Sequence, residues 1–442
     1  MRPLINRDYT RLWYGQAVSV VGDEVFSITL ALWVATQLGR GQTWAPAAMS
    51  GVLLAAGAAV LVVGPLAGVF VDRWHRKLLM LRTEVIRAVL VAVLAVLAFL
   101  PQRALPIGAW LTVIYVIVFL VNAAGQFFSP ARLAILGEIV PGDVDRARAA
   151  GIEQSTQAVA AIIGPPLAAP LLFTVGVQWA LVANAASYLV SYLAIRSIRA
   201  ASSTAAAAPA GERGSYRREF AAGLRFYAGS RLLLGLLVLG VVAQLGTGAL
   251  NTLSVFFLTG NLHTPARLFG LLSTAFGIGA VVGGLCSGRV VRWIGARNLL
   301  WVSAVLAGVV VLLYARQTAF AAALALFGLL ALIVTLLNTA ITPLLLKAVP
   351  PEFLGRVVAV FMPANSLSQM LSMAVAGWLA SSALRGVHGT ALGVHVGPLD
   401  TIFSAAALLM IASGLLVMLV LPREPAVEAP PADPAVAAAE GG

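Results

Sequence analysis

Apolar stretches of about 20 residues follow one another along the whole chain, separated by short polar segments. Each stretch is long enough to cross a hydrocarbon layer of about 30 Å as an α-helix. The pattern predicts twelve spans, at residues 12–37, 47–70, 78–100, 107–129, 151–174, 177–197, 232–258, 265–287, 298–315, 318–345, 358–384 and 400–421. The fold class predicted from this pattern is an all-α integral membrane protein.

An internal repeat divides these spans into two groups of six. Gly64-Pro-Leu-Ala-Gly68 precedes Asp72-Arg-Trp74, and Gly284-Leu-Cys-Ser-Gly288 precedes Arg292-Trp293 about 220 residues later. Repeated loops at matching places are typical of parallel halves related by an axis along the membrane normal. Two pseudo-symmetric six-helix bundles are therefore expected.

Composition shifts place the expected boundaries between these parts. Residues 1–198 form the first bundle and residues 232–421 the second. Residues 199–231 are predicted to be a linker, Ala/Ser-rich at first and then an amphipathic helix on the membrane surface. Residues 422–442 are rich in Ala and Pro, which predicts a disordered tail.

Charge gives the predicted orientation. The chain is 60% hydrophobic and 10% charged, whereas soluble domains are about a quarter charged. The net charge is +12, but the basic residues lie at the ends of spans and mostly on one side, so they indicate topology rather than a nucleic-acid surface. The opposite side is left with few: Arg40, Arg103, Arg267, Arg316 and Arg385. Both termini are therefore predicted to be cytoplasmic.

Motifs for catalysis or cofactor binding are not apparent in the sequence. No histidine or acidic cluster has metal-ligand spacing, no phosphate-binding Gly-Lys-Ser/Thr loop occurs, and the single cysteine, Cys286, excludes an intrachain disulfide. A membrane enzyme would need a cluster of reactive side chains, and a membrane sensor would need a soluble signalling domain. Both classes stay open as alternatives, but the sequence shows neither feature. The sequence therefore favours a protein that is not an enzyme and has no cofactor or metal.

Two acidic residues, Asp23 and Glu24, lie inside the first predicted span. A rise of about 1.5 Å per residue places Asp23 near the middle of the bilayer, where an ionised carboxylate costs about 2.5 kcal/mol or more. It therefore needs a cavity, a partner or a proton. Asp23 is predicted to be a transported-proton carrier, the alternative being a fixed ion pair with Arg87; Glu24 is a second candidate.

Neutral polar residues form stripes on several other spans. Polar side chains within spans usually face the interior of a bundle, and many of them only hydrogen-bond one helix to another. Both readings stay open for each residue. The stripes together predict a polar central cavity, for which the candidates are Gln16, Ser19, Ser27, Asn122, Gln126, Gln244, Asn251, Asn338, Asn365 and Gln369.

The loop from Gly68 to Lys77 carries a family resemblance. Its spacing, Gly68, then Asp72-Arg73, then Arg76-Lys77, resembles the loop between helices two and three of the major facilitator superfamily. Other segments resemble its macrolide-efflux and enterobactin-exporter-like bacterial branch. These segments are Asn6 to Trp13, Gly22-Asp23, Phe128 to Arg132 and Asn184 to Ser187.

This resemblance implies alternating access, in which two bundles rock about a central site, and export coupled to the proton gradient. It also implies that Asp72 braces the start of helix eleven, while Arg73, Arg76 and Lys77 close the cytoplasmic gate and Gly68 permits close approach. The alternative for this loop is that its basic residues only fix topology.

Helix five departs from the family pattern. Gly164-Pro165 is kept and predicts a bend, but alanines replace the two glycines expected after it. Close packing of this helix against a neighbour is therefore less assured.

The function expected from the sequence is proton-coupled export of a small hydrophobic or amphipathic compound, such as a drug, a macrolide or a siderophore-like metabolite. The alternative is proton-coupled uptake of a solute by the same fold. The expected partners are that small molecule, protons and the lipid bilayer. The resemblance also implies a monomer in a bacterial inner membrane.

Overall fold

The computed structural model describes residues 4–71, 74–199, 230–349, 351–384, 389–391 and 394–420. Its twelve long helices are α1 (Arg7–Trp33), α2 (Ala45–Val71), α3 (Arg76–Ala98), α4 (Ile107–Ile139), α5 (Asp143–Pro170), α6 (Val177–Arg196), α7 (Arg231–Gly260), α8 (Phe269–Ile294), α9 (Ala296–Ala315), α10 (Phe320–Ala348), α11 (Pro351–Trp378) and α12 (Pro398–Val420). The predicted all-α architecture with twelve helices is confirmed. The predicted amphipathic helix and the tail lie outside the described residues.

Helices α4 and α5 are longer than the apolar pattern predicts. The span expected at 107–129 continues as helix to Ile139, and the span expected from 151 already begins at Asp143. The added segments are rich in Ala, Leu and Arg, which are good helix formers, so the helix continues past the apolar run. The two helices are separated at Gly142, whose φ of 88° is readily adopted only by glycine.

Irregular structure collects at one end of the bundle. Helices α1, α5 and α11 each finish in a five-residue π-helical turn, at 34–38, 171–175 and 379–383. The connection between α11 and α12, which the sequence suggests is a loop, contains a short antiparallel hairpin of β1 (Gly389–Ala391) and β2 (Val394–Val396). We call this end the opposite face, and the end where α1 starts and α12 finishes the termini face.

Among the described residues, nine helices are long and apolar enough to cross a membrane by length and hydropathy alone. Helices α3, α6 and α11 are the other three. Helix α3 carries Arg82, Glu84 and Arg87, and α6 carries Asn184 among several hydroxyl side chains, which lowers their mean hydropathy. Glu84, Arg87 and Asn184 are buried within the bundle, whereas Arg82 is exposed.

The two halves repeat the same packing plan. In the first half α3 packs on α4 and α6, α1 packs on α5 and α6, and α2 packs on α4. In the second half α9 packs on α10 and α12, α7 packs on α11 and α12, and α8 packs on α10. Every pair is reproduced six helices later, which confirms two pseudo-symmetric six-helix bundles. We call them the N-half (α1–α6) and the C-half (α7–α12).

Basic residues at the termini face hold the ends of helices within each half. Lys77, at the start of α3, donates to the carbonyl oxygens of Arg196 and Ile198 at the end of α6. Arg297, at the start of α9, donates to the Met418 carbonyl oxygen near the end of α12 at 2.8 Å. A helix leaves its last carbonyls without partners, and a cation there also interacts favourably with the helix dipole. The internal repeat thus includes a matching cap in both halves.

Candidate functional site

A cavity of about 890 Å³ lies between the two halves. Helices α1, α5, α7, α8 and α10 supply most of its wall. Apolar side chains such as Phe276, Phe327 and Leu250 alternate with neutral polar ones. The polar lining residues are Gln154, Ser155, Gln157, Thr247, Asn251, Ser254, Ser273 and Thr335, and Glu24 is the one charged residue among the described lining. Such a site suits a largely apolar molecule with a few polar groups.

The halves meet tightly on the side of the opposite face. Where α2 crosses α11, the Ala47 amide donates to Ser381 Oγ at 3.0 Å, and Gly377 lies so close that a Cβ there would collide with Ser50. Toward the termini face the cavity wall continues to Leu285, whose side chain is 81% exposed. The described arrangement is therefore closed at the opposite face.

Helices α5 and α8 form the second close contact between the halves. A Cβ on Gly270 would lie 2.6 Å from the Pro165 carbonyl oxygen, and a Cβ on Gly277 would lie 2.8 Å from Ile162. The close approach at the prolines of α5 thus depends on glycines of α8, while Ala168 and Ala169 are fully buried.

The prolines of α5 also create a polar contact between the halves. Pro166 has no N–H, so the carbonyl of Ile162, four residues earlier, lacks its helical partner. The Thr274 hydroxyl of α8 reaches this oxygen at 3.3 Å while also bonding to the Gly270 carbonyl at 2.8 Å. A carbonyl freed in one half is therefore met by a hydroxyl from the other.

Glu24 enters the cavity wall where α1 crosses α5. A Cβ on Gly164 would lie 2.6 Å from Glu24 Cβ, so a side chain larger than glycine would push these helices apart. Helix α5 stays helical through Pro165 up to Pro170. The predicted pair Gly164-Pro165 thus lies directly behind the acidic residue of the cavity.

Asp23 is adjacent to Glu24 but faces away from the cavity. Successive residues of a helix point about 100° apart, and Asp23 points toward α3 and α6. Arg87 Nη2 lies 2.7 Å from Asp23 Oδ2, the Tyr188 hydroxyl donates to the other carboxylate oxygen, and the guanidinium stacks over the Tyr188 ring at 4.3 Å. The structure therefore contains the ion pair with Arg87 that the sequence offered as an alternative.

The interface between α3 and α6, which we call the N-half seam, also contains a carboxyl group that the sequence analysis did not identify. Glu84 lies one turn from Arg87 on α3 and is fully buried. Ser191 of α6 donates to Glu84 Oε1 at 2.7 Å, and Gln16 of α1 donates to Ser191 Oγ at 2.7 Å. The i, i+3 spacing of an acid and a base inside a predicted span was the available signal.

The predicted cavity residues fall into separate places. Asn251 lines the cavity, and Ser27 is exposed. Gln16 faces α6, Ser19 is buried, Asn122 Nδ2 bonds to its own helix at Val118, and Gln126 Oε1 lies against Gly64 of α2. Asn365 and Gln369 lie on the face of α11 that meets α7, next to Gly240 and Gly248, while Gln244 and Asn338 are not among the described lining residues.

The polar stripe of α11 mainly joins helices. Ser368 Oγ donates to the Val241 carbonyl of α7 at 2.7 Å, and Ser372 Oγ donates to the Leu245 carbonyl. Both bonds cross from one helix to the next within the C-half. The lining residues absent from the predicted set include Gln154 and Gln157 of α5, which recur with Pro165 at helical spacing and could have been read as one face.

Part of the loop between α2 and α3 can be placed. Arg76 forms an ion pair with Glu138 at the end of α4, and Lys77 caps α6 as described above. Gly68 belongs to α2, whereas Asp72 and Arg73 lie outside the described residues. The described members of the loop therefore join helix ends within the N-half.

Comparison with known sequences gives a consistent set of relatives. The model of a family described as "Transmembrane secretion effector" matches residues 1–439. Macrolide efflux protein A of Streptococcus pyogenes is 24% identical over 84% of this chain and 88% of its own length. The enterobactin exporter EntS of Citrobacter koseri is 26% identical over 74% of this chain and 75% of its own length.

Solved transporter structures share the fold at low sequence identity. The nucleoside transporter NupG (D323A mutant) superposes with a TM-score of 0.72 at 12% identity, covering 94% of this chain and 100% of that one. A D-xylose-proton symporter gives a TM-score of 0.65 at 13% identity, covering 92% of this chain and 98% of that one. These two likenesses concern the architecture alone.

Proposed function

Because the chain belongs to the transmembrane secretion effector family, a branch of the major facilitator superfamily, we propose that this multi-pass membrane protein exports a small hydrophobic or amphipathic compound in exchange for protons. The observation that carries the proposal is the cavity of about 890 Å³ between the halves, mostly apolar and with Glu24 in its wall. The names of relatives, which include macrolide efflux and enterobactin export, support this direction of transport.

The cargo class follows from the chemistry of the cavity. Aromatic and aliphatic side chains such as Phe276 and Phe327 offer a surface for an apolar body, and amides and hydroxyls offer hydrogen bonds. The carboxylate of Glu24 adds one negative charge that attracts a cationic group at short range in this low-dielectric site. Drugs, macrolides and siderophore-like metabolites of amphipathic character fit this description, and a protonated amine is the group that Glu24 would bind.

The two adjacent acids of α1 have different tasks in this proposal. Glu24 meets the cargo, while Asp23 binds and releases the transported proton. Asp23 is 35% exposed at its side chain, so water can reach it, and a proton on Asp23 would weaken its ion pair with Arg87. Changing that pair alters contacts among α1, α3 and α6, and so joins proton binding to helix movement.

The orientation and the gate belong to the same proposal. The excess of basic residues at the termini face supports a cytoplasmic location for that face, and the proposal assigns the protein to a bacterial inner membrane as a monomer. With the opposite face closed, we assign this arrangement to the binding of cargo from the cytoplasm. Asp72 would brace the start of α11, and Arg73, Arg76 and Lys77 would close the cytoplasmic side, when the cavity opens to the other side.

Everted membrane vesicles test the direction and the coupling. With a one-unit acid-inside pH gradient and the membrane potential collapsed, one-for-one exchange supports accumulation of a labelled macrolide of about tenfold. A protonophore should abolish it, and Asp23→Asn should do the same while passive exchange of the cargo continues. Accumulation that persists in the protonophore, or that equals wild type in Asp23→Asn, contradicts proton coupling through Asp23.

The proposed role of Glu24 is tested by comparing a cationic and a neutral cargo. Glu24→Gln should reduce binding of a lipophilic cation much more than binding of a neutral compound of similar size, measured as ligand-induced thermal stabilisation of the purified protein. Equal loss for both compounds would show that Glu24 serves packing against α5 rather than recognition of charge.

The alternative of uptake is tested by the orientation of the vesicles. Accumulation only in right-side-out vesicles would identify uptake as the activity.

A further inference from the structure

Glu84 lies inside the N-half with no exposed surface. One carboxyl oxygen, Oε1, accepts a hydrogen bond from Ser191, which in turn accepts one from Gln16. The other oxygen, Oε2, has no hydrogen-bond partner among the described residues. Leaving a buried polar atom without a partner costs free energy, so a carboxyl group is a poor choice if its only task were to join helices.

The charges around Glu84 do not balance if every group is ionised. Two charged groups act on it, namely Arg87 one turn along α3 and Asp23 from α1, while the titratable Tyr188 of α6 contacts Arg87 and Asp23. Helix α4 also packs on α3, but its charged side chains Arg132 and Glu138 pair with Glu153 and Arg76 instead. One guanidinium therefore stands against two carboxyl groups.

The arginine is placed to serve both acids. Its Nη2 pairs with Asp23, while its Nε, also buried, has no partner among the described residues. An unsatisfied donor on Arg87 and an unsatisfied acceptor on Glu84 thus lie one turn apart on the same helix. We propose that Glu84 is a proton-binding site, and that Glu84 and Asp23 share one proton around Arg87; this inference rests on the proton-coupled transport proposed above.

The exchange keeps the charge of the cluster constant. In the described arrangement the proton is on Glu84 and the guanidinium pairs with Asp23. In the alternative arrangement the O–H bond of Glu84 breaks, an O–H bond forms on Asp23, and the guanidinium pairs with Glu84. Asp23, which water reaches, then releases its proton to one side of the membrane and receives the next from the other.

Infrared spectroscopy of the purified protein tests the proton without knowledge of the cargo. The absorption of protonated carboxyl groups at neutral pH should fall by one group in Glu84→Gln, which keeps an acceptor for Ser191. Asp23→Asn should lose one group too, since Arg87 then pairs with an ionised Glu84. Arg87→Gln should gain one group, because both acids then hold protons.

A matched control is available at the termini face. Asp143→Asn removes a carboxyl group whose side chain is fully exposed, and it should leave the absorption unchanged. An unchanged absorption in Glu84→Gln overturns the proposal. If Glu84→Gln does not fold, the other two variants decide, because an undiminished signal in Asp23→Asn or an unincreased signal in Arg87→Gln also overturns it.

A transport assay distinguishes failure of the Glu84 proposal from failure of the proposed function. In everted vesicles, Glu84→Gln should lose the accumulation of about tenfold expected from a one-unit pH gradient, while exchange of labelled macrolide at equal pH continues. If wild type and Glu84→Gln accumulate the macrolide equally, the role of Glu84 is refuted and the transporter proposal stands. Wild type that accumulates nothing refutes the proposed function itself, whatever the infrared result.

Discussion

The seams α3–α6 and α9–α12 occupy equivalent places in the two halves but differ in chemistry. The repeat of 220 residues pairs Glu84 with Ala304, Arg87 with Ala307 and Ala88 with Gly308. The first seam holds buried charge and hydrogen bonds. The second is built from small residues: a Cβ on Gly308 would lie 2.7 Å from the Ala407 carbonyl oxygen of α12, and a Cβ on Gly414 would lie 3.0 Å from Ala304 Cβ.

This difference shows which interactions the shared arrangement of helix pairs requires. The C-half assembles the same helix pairs with no charged residue at the positions matching Glu84 and Arg87, so buried charge is not needed for this arrangement of helices. Small residues let helices approach closely within a membrane and gain dispersion energy. Charge in the N-half seam is therefore explained better by a task in transport than by the fold.

The largest expected effect comes from removing the arginine of the charged seam. Arg87→Leu leaves the buried Glu84 and the partly exposed Asp23 without a cation and should lower the free energy of unfolding by about 3 kcal/mol. Thermal unfolding in detergent measures this, with the exposed Arg82→Leu on the same helix as control. A variant as stable as the control would show that the N-half seam, like that of the C-half, does not depend on charge.

The next effect is expected in the close-packed seam. Gly308→Ala adds a methyl group where the α12 backbone leaves no room, and overpacking costs about 1–3 kcal/mol. The reciprocal change, Ala88→Gly, removes a methyl group at the equivalent position of the N-half seam and should cost about 1 kcal/mol or less. Equal thermal shifts for the two variants would show that both seams respond alike to a change of one methyl group.

A smaller effect is expected where the two halves meet. Thr274→Val removes the hydroxyl that reaches the Ile162 carbonyl, at a cost of about 0.5–1 kcal/mol to the arrangement closed at the opposite face. Spin-label distances across that face should show more of the open form. In a Pro166→Ala background the carbonyl recovers a helical donor, so the same substitution should have a reduced effect; an undiminished effect would assign it to packing.

The smallest effects are expected from the cationic helix caps that both halves share. Lys77→Gln and Arg297→Gln each weaken a cationic cap on the last carbonyls of a partner helix, and each should cost about 0.3–1 kcal/mol. Both shifts should decrease at high salt, since these caps lie at the membrane surface. A large loss from one variant and none from the other would mean that the matching caps are not equivalent.

The site was less accessible to sequence reasoning than the fold. Asp23 and Glu24 were recognisable because a charge within an apolar span is unusual, and their separation onto different faces follows from helical geometry. Which face meets the cavity depends on how α1 is rotated against α3, α5 and α6. Periodicity shows that Asn365 and Gln369 share a face, but not that this face meets α7.

The sequence alone determined the twelve helices, the two repeated halves and the family, because helix length, hydropathy and loop motifs are local properties of the chain. Only the tertiary structure decided which acid lines the cavity, that Glu84 lies beside the pair of Asp23 and Arg87, and that Thr274 meets a carbonyl freed by Pro166. These contacts join residues more than 60 positions apart. They depend on the packing of whole helices, which no local pattern specifies.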